Sequence, residues 1–287
     1  MVDWLTGENG RTLFALAAGL YLLAALSGAV SMRLGHRYAR SVSLTLIAGG
    51  FLFQTLAMAL RGIAIQACPL GNPFEILQFM TWSGILVYLT LFSVYRLNLL
   101  GLFTALFAGG IGSLALAVPR WDHAYTGNLF SDNPWIETHA SLAVLSYGIF
   151  GLLFLICAMY LIQQYGLKHK QASGLFRLLP SIMQLERVGI RLLATGQIIL
   201  TLALLVGLLM WVFKAGTTTS AAKLLFTVVP WIGYGLAILL HARGRLVGPA
   251  FARTCVVLFG VALLSVWPVD ADRPTTGTRP VPPTRQP

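Results

Sequence analysis

The sequence predicts an all-α polytopic membrane protein, a bundle of about eight transmembrane helices, and three observations predict it. Hydrophobic residues fill 57% of the 287 positions, charged residues only 10%, and the mean hydropathy is +0.77. One soluble core of this length cannot enclose so much apolar surface, so lipid must be the solvent for most of the chain. The apolar residues also fall in long runs, near 11–34, 42–66, 74–95, 97–118, 136–165, 187–213, 222–243 and 249–268. Each run is long enough to cross hydrocarbon about 30 Å thick. Finally, the runs lack the alternation of barrel strands, and unpaired backbone groups are too costly in lipid, which leaves helices.

The first run is followed by Arg33, Arg37 and Arg40 rather than by a small-residue cleavage site, so it is expected to be a retained helix. The second ends near Arg61 and gives way to the turn-rich stretch Cys68-Pro69-Leu70-Gly71-Asn72-Pro73. Asn72 as cap, Pro73 in the first turn and Glu75 at the positive dipole end then start the third helix. Only Tyr95, Arg96, Leu97 and Asn98 separate the third run from the fourth, and the orientation of everything downstream turns on that joint.

The loop from Pro119 to Glu137 carries Trp121, Asp122, His123, Tyr125 and Trp135, where tryptophan is expected as an interface anchor. His139 opens the fifth run in WIETHASLAVLSYG. The basic segment from Gly166 to Glu186 is expected to lie against anionic lipid. Glu186, Arg187 and Arg191 begin the sixth helix, and Gln197, deeper inside it, is expected to bond across helices. His241 closes the seventh run in AILLHAR. Residues 1–268 thus read as a single transmembrane domain, and 269–287, rich in Pro, Thr and Arg, as a disordered tail.

The net charge of +11 would suggest nucleic acid in a soluble protein. Here the basic residues gather in short loops after alternate spans, which excludes that partner and sets orientation. Arg33, Arg37, Arg40, Lys168, Lys170, Arg243 and Arg245 lie on one side, with few opposite them. The chain is therefore expected in the inner (plasma) membrane, multi-pass, with both termini extracytoplasmic. Cys68, Cys157 and Cys255 form no CxxC, which removes a thioredoxin-type pair, a zinc site and covalent haem attachment. No phosphate loop, HExxH, GxSxG or dinucleotide fingerprint occurs, so the chain is not expected to be an enzyme.

The five histidines are the candidate metal ligands. His139 and His241 fall at opposite membrane faces and cannot share one iron. Two axial ligands per iron would require His123 beside His139, and His36 or His169 beside His241. The alternative is one protein ligand per site, with the second position open or filled by another subunit. Arg61 and Glu75 pair at the outer mouth of the second and third helices, where Arg61 or a neighbouring amide meets a haem propionate in the functional reading. The structural reading makes that stretch an ordinary helix start.

At these residues the chain resembles the cytochrome c assembly family of CcsA (ResC) proteins and their shorter relatives HemX and YpjD. The carriers are CPLGNPFEILQFMTWS, WIETHASLAVLSYGIFGLLFLICAMYLIQQ, LPSIMQLERVGIRLLATGQIILTLALLVGLLMW and PWIGYGLAILLHAR, in family order over roughly 60–265. The resemblance implies non-covalent haem, with His139 as an outer axial ligand and His241 as an inner one. Between Trp211 and Trp231 the sequence lacks the family's tryptophan-rich box, and no histidine follows His241, which points to the HemX and YpjD branch. The expected function is haem delivery or assembly in cytochrome c biogenesis. The alternative is a regulatory or accessory membrane protein with no haem conduction of its own. Expected partners are membrane lipid, haem, and a CcsB-like subunit or a second copy.

Overall fold

The computed structural model describes residues 8–34, 40–94, 99–122, 134–170, 179–213 and 221–271. They form eight α-helices: α1 (Glu8–Arg33), α2 (Arg40–Ile65), α3 (Pro73–Val94), α4 (Leu100–Ala117), α5 (Pro134–Lys168), α6 (Ile182–Phe213), α7 (Ala221–Ala242) and α8 (Gly248–Ala271). A single 3₁₀ turn, Pro119–Trp121, follows α4. Among the described residues there is no strand, and the polytopic all-α bundle is as the composition requires. Six helices, α1 to α6, are long and apolar enough to cross a membrane, while α7 and α8 carry the shorter apolar stretches Thr227–Ala242 and Gly248–Leu264. The short joint between the third and fourth runs separates two helices, α3 ending at Val94 and α4 starting at Leu100. Residues 272–287, most of the expected tail, lie outside the described residues.

Helix α5 is the axis of the bundle. Its 35 residues span about 52 Å at 1.5 Å per residue, more than the hydrocarbon thickness. Buried positions occur all around it, from Val144 to Tyr160, as expected of a helix apolar on every face. Helices α3, α6 and α8 pack directly on it, α1 packs on α2 and α4, and α7 on α8 and α6. The crossing of α3 over α5 is tight because it uses glycine: a Cβ at Gly148 would sit 2.7 Å from the Met80 carbonyl and 2.8 Å from the Gly84 nitrogen. On the outside of the bundle Leu52, Ile198 and Leu264 are more than 60% exposed, which lipid tolerates and water would not.

Polar side chains stitch the first helices together inside this apolar shell. Gln54 of α2 accepts from the Tyr21 hydroxyl (2.8 Å) and donates to the Gln78 carbonyl (2.9 Å), Gln78 Oε1 (3.0 Å) and Thr81 Oγ1 (3.0 Å). The cross-helix bond expected of Gln197 runs to the Trp231 carbonyl of α7 at 3.1 Å.

Candidate functional site

Three groupings hold the chemistry-bearing residues: a histidine and a charge cluster at one end of the bundle, and a second histidine at the other. Helix α2 stops where Gln66 adopts a left-handed conformation (φ 55°), and the Ala67 N–H turns back to the Gly62 carbonyl at 3.2 Å. Asn72 then caps α3, its Oδ1 accepting the Glu75 N–H at 2.8 Å, as the Asn-Pro-x-Glu spacing predicts. Glu75 Oε2 accepts the Gly71 N–H at 2.7 Å, and Oε1 lies 2.8 Å from Arg61 Nε.

Arg61 and Glu75 are therefore paired, as the sequence suggests, but two further partners went unforeseen. Asp122, just after the 3₁₀ turn, bonds Arg61 Nη2 through Oδ1 and Arg11 Nη1 through Oδ2 at 2.7 Å. Arg11 also donates to the Leu116 carbonyl at 2.8 Å. Both guanidinium groups lie over the Phe74 ring, 5.4 Å (Arg11) and 5.3 Å (Arg61) from its centre. Two cations and two carboxylates give a cluster without net charge, which makes burial at the membrane boundary tolerable. Arg61 is 7% exposed, and Nη1 alone lacks a hydrogen-bond partner among the described residues.

Beside this clasp, Cys68 docks on α5, its N–H 3.3 Å from Glu137 Oε1 and its sulfur 3.4 Å from Ser141 Oγ. Burial, opposed by the Ser141 hydrogen bond and assisted by Glu137 and Glu75, raises the thiol above its ordinary value. Glu137 and Ser141 are four residues apart on one face of α5, and His139 between them faces α6 instead.

There, His139 Nδ1 lies 2.7 Å from the Ala203 carbonyl. A carbonyl oxygen only accepts, so Nδ1 carries a proton, and in the neutral ring Nε2 is the nitrogen with the lone pair. Gly207, one turn further along α6, makes the room: a Cβ there would be 2.9 Å from both His139 Cε1 and Nδ1.

His241 repeats the arrangement at the opposite end. Gly244 takes a φ of +68° that glycine adopts freely, ends α7, and turns the chain so that the Leu246 carbonyl meets His241 Nδ1 at 2.9 Å. The ring packs 5.1 Å from Phe251 of α8. Glu186 of α6 holds the same corner by accepting the Gly248 N–H at 3.0 Å, an acid on a helix N-terminus. Its expected role in starting α6 falls away, because α6 begins earlier, at Ile182. From Glu186 to Ala203 is 17 residues of α6, about 26 Å, so the two histidines stand that far apart along the bundle.

Of the proposed second ligands, His36 and His123 lie outside the described residues. His169 is exposed at the end of α5, with its ring 4.3 Å from Tyr165. Among the described residues no three His, Cys, Asp or Glu converge in a metal-holding group.

This chain is similar to Protein HemX of Brevibacillus brevis, 25% identical over 199 residues, 69% of this chain and 73% of the relative. Protein HemX of Bacillus subtilis is 23% identical over 250 residues, 86% of this chain and 90% of the relative. Cytochrome c biogenesis protein CcsA of Trieres chinensis is 30% identical over 105 residues, 36% of this chain and 33% of the relative. The family profile described as Cytochrome C assembly protein matches residues 70–267, which contain α3 to α7 and most of α8, with both histidines and Glu75, and the chain belongs to that family.

Proposed function

We propose that this protein holds haem, non-covalently, during cytochrome c biogenesis, with His139 as ligand at one end of the bundle and His241 at the other. One observation carries the reading. Each imidazole donates its Nδ1–H to a backbone carbonyl, so that in the neutral ring Nε2 is the nitrogen with a lone pair for a metal. Bound haem would supply the cargo and its redox-active iron. The chain's own contribution is to fix tautomer and ring orientation: Ala203 and Gly207 do this for His139, and Leu246 and Phe251 for His241. The remaining Nη1 donor of Arg61 is the group that would meet a propionate.

One ligand per end would leave a further ligand to come from His123 or His36, from a CcsB-like subunit or from a second copy, and would suit a carrier that releases its load. No bond-making step is assigned to the chain. It would sit in the inner membrane with the His139 end and both termini extracytoplasmic, since Lys168, Lys170, Arg243 and Arg245 crowd the His241 end.

The second reading is a regulatory or accessory membrane protein without haem. The exposed Arg187, Arg243, Arg245 and Arg253 at the His241 end favour it, as they form a basic surface for an acidic partner.

The deciding experiment is the absorption spectrum of protein purified in mild detergent from haem-replete cells, for wild type, His139→Ala and His241→Ala. A Soret band with reduced α and β bands, diminished in each variant, is the expected result. Wild type without stoichiometric haem would overturn the first reading and leave the second.

A further inference from the structure

Cys157 and Cys255 are far apart in the chain but meet inside the bundle, where α5 and α8 pack antiparallel. Contacts on either side fix the register. A Cβ on Gly248, at the start of α8, would lie 3.3 Å from the Tyr160 hydroxyl of α5. One on Gly151 of α5 would lie 3.4 Å from the Phe259 ring, which also stacks on Phe154 at 5.1 Å. Between these contacts, Cys157 follows Phe154 by three residues and precedes Tyr160 by three, and Cys255 lies one turn before Phe259, so both face the seam. The two thiols are free, hydrogen-bonded to each other, and only 2% (Cys157) and 0% (Cys255) exposed.

A third group completes the cluster. Tyr234 of α7 is fully buried, with its ring stacked on Phe150 at 3.8 Å. Its hydroxyl interacts electrostatically with Cys255 and more weakly with Cys157, and it has no hydrogen-bond partner among the described residues. A buried donor left unpaired is costly, and a donor held for a sulfur that becomes charged accounts for the cost. Burial also selects the oxidant. Bulky disulfides and charged reagents from water do not reach sulfurs packed this deeply, whereas a small uncharged hydroperoxide crosses lipid and fits between side chains. Sulfurs already in contact then have only to close to the bond length of about 2.05 Å.

We infer that Cys157 and Cys255 are a redox-reversible pair, closed by hydrogen peroxide into a disulfide that ties α8 to α5, with Tyr234 as hydrogen-bond donor to the attacking sulfur. The Cys255 sulfur attacks one peroxide oxygen: the S–O bond forms, the O–O bond breaks, and the thiol proton leaves with the departing hydroxide as water. The Cys157 sulfur then displaces hydroxide from the Cys255 sulfenic acid, and its own proton makes the second water. Two thiols are oxidised to one disulfide and one peroxide is reduced to two waters. A dithiol reverses the change by thiol–disulfide exchange. The bond fixes the helix whose Phe251 packs against His241, yet it rests on no haem reading.

The test uses the full chain carrying Cys68→Ala in phosphatidylcholine vesicles. It is treated with hydrogen peroxide, quenched with catalase, blocked with maleimide in SDS, and cut by trypsin at the exposed Arg243 and Arg245. On a non-reducing gel the fragment with Cys255 should stay joined to the fragment with Cys157, and dithiothreitol should release it. Cys157→Ser and Cys255→Ser should each abolish the link. Tyr234→Phe should slow its formation at least about tenfold, the effect of losing a hydrogen bond to a charged group. The link in the parent chain decides the matter even where a variant does not fold. The proposal is overturned if both thiols still take maleimide after peroxide, if either is oxidised to sulfinic acid without a link, if the link forms only in chain unfolded beforehand, or if folded Tyr234→Phe closes as fast as the parent.

Discussion

His139 and Gly207 occupy one space: the imidazole fills the volume that any side chain at Gly207 would need. Gly207→Ala is therefore a way to move the histidine without changing it. The new Cβ would press on Cε1 and Nδ1 at 2.9 Å, so the ring must swing and the 2.7 Å bond to the Ala203 carbonyl must lengthen. Loss of such a supporting bond weakens a metal ligand roughly 10–100-fold. The expected outcome is a drop of that order in haem retention for Gly207→Ala, read from the Soret band, with the His241 end unaffected. A variant that keeps full haem and an unchanged spectrum would remove His139 from the ligand set.

The placement of His139 and His241 at opposite ends of the bundle was legible in the sequence, and so were the helices around them, because lipid permits so few structures that run length alone decides the spans. Asn72 capping Glu75 and Gly244 ending α7 were legible for a local reason, as each motif acts within a few residues. The partners of the histidines were not. Gly207 is 68 positions from His139, and glycine in an apolar run reads equally well as packing anywhere. Asp122 was visible only as one polar residue of a loop. Its pairing with Arg11, 111 positions away, depends on how α1 and α4 meet. One signal was available: Arg11 and Arg61 sit on the side poor in basic residues, and buried cations there require carboxylates.

The Cys68 thiol, raised chiefly by burial, should react slowly with maleimide at neutral pH when Cys157 and Cys255 are replaced by alanine. The sign of its effect on stability follows. Above the ordinary value of 9.0 the unfolded chain loses this proton first while the folded chain keeps it, so the unfolded state is favoured as pH rises. Stability below that pH is unaffected by this group. Wild type should thus lose more stability than Cys68→Ala between neutral and strongly alkaline pH, measured by thermal unfolding in detergent. Rapid labelling at neutral pH would show that the loop does not bury the sulfur.

Gln54 is the polar hub of α1 to α3, and Gln54→Leu removes every bond it makes to Tyr21, Gln78 and Thr81. Cross-helix hydrogen bonds in membranes average about 0.6 kcal/mol, so the four bonds together predict a loss of about 2 kcal/mol rather than unfolding. Equilibrium unfolding in mixed micelles measures it. A neutral result would mean that Tyr21 and Gln78 re-pair directly.

Asp122→Asn should be the most damaging single change at the clasp. It leaves Arg11 without its carboxylate and gives Arg61 only Glu75, while Arg61 and Asp122 side chains are 8% and 5% exposed. Breaking a buried pair by removing one partner costs about 3–5 kcal/mol, because the orphaned charge stays desolvated. Arg61→Met combined with Asp122→Asn restores a cluster without net charge, one guanidinium and one carboxylate, so it should be less damaging than Asp122→Asn alone. Glu75 then keeps its Gly71 N–H bond, and the amide oxygen that replaces the Asp122 carboxylate can still accept from Arg11. Thermal midpoints of the two single variants and the double variant in one detergent give the coupling directly. Additive losses would mean that water reaches the cluster and that the charges are solvated rather than buried against Phe74.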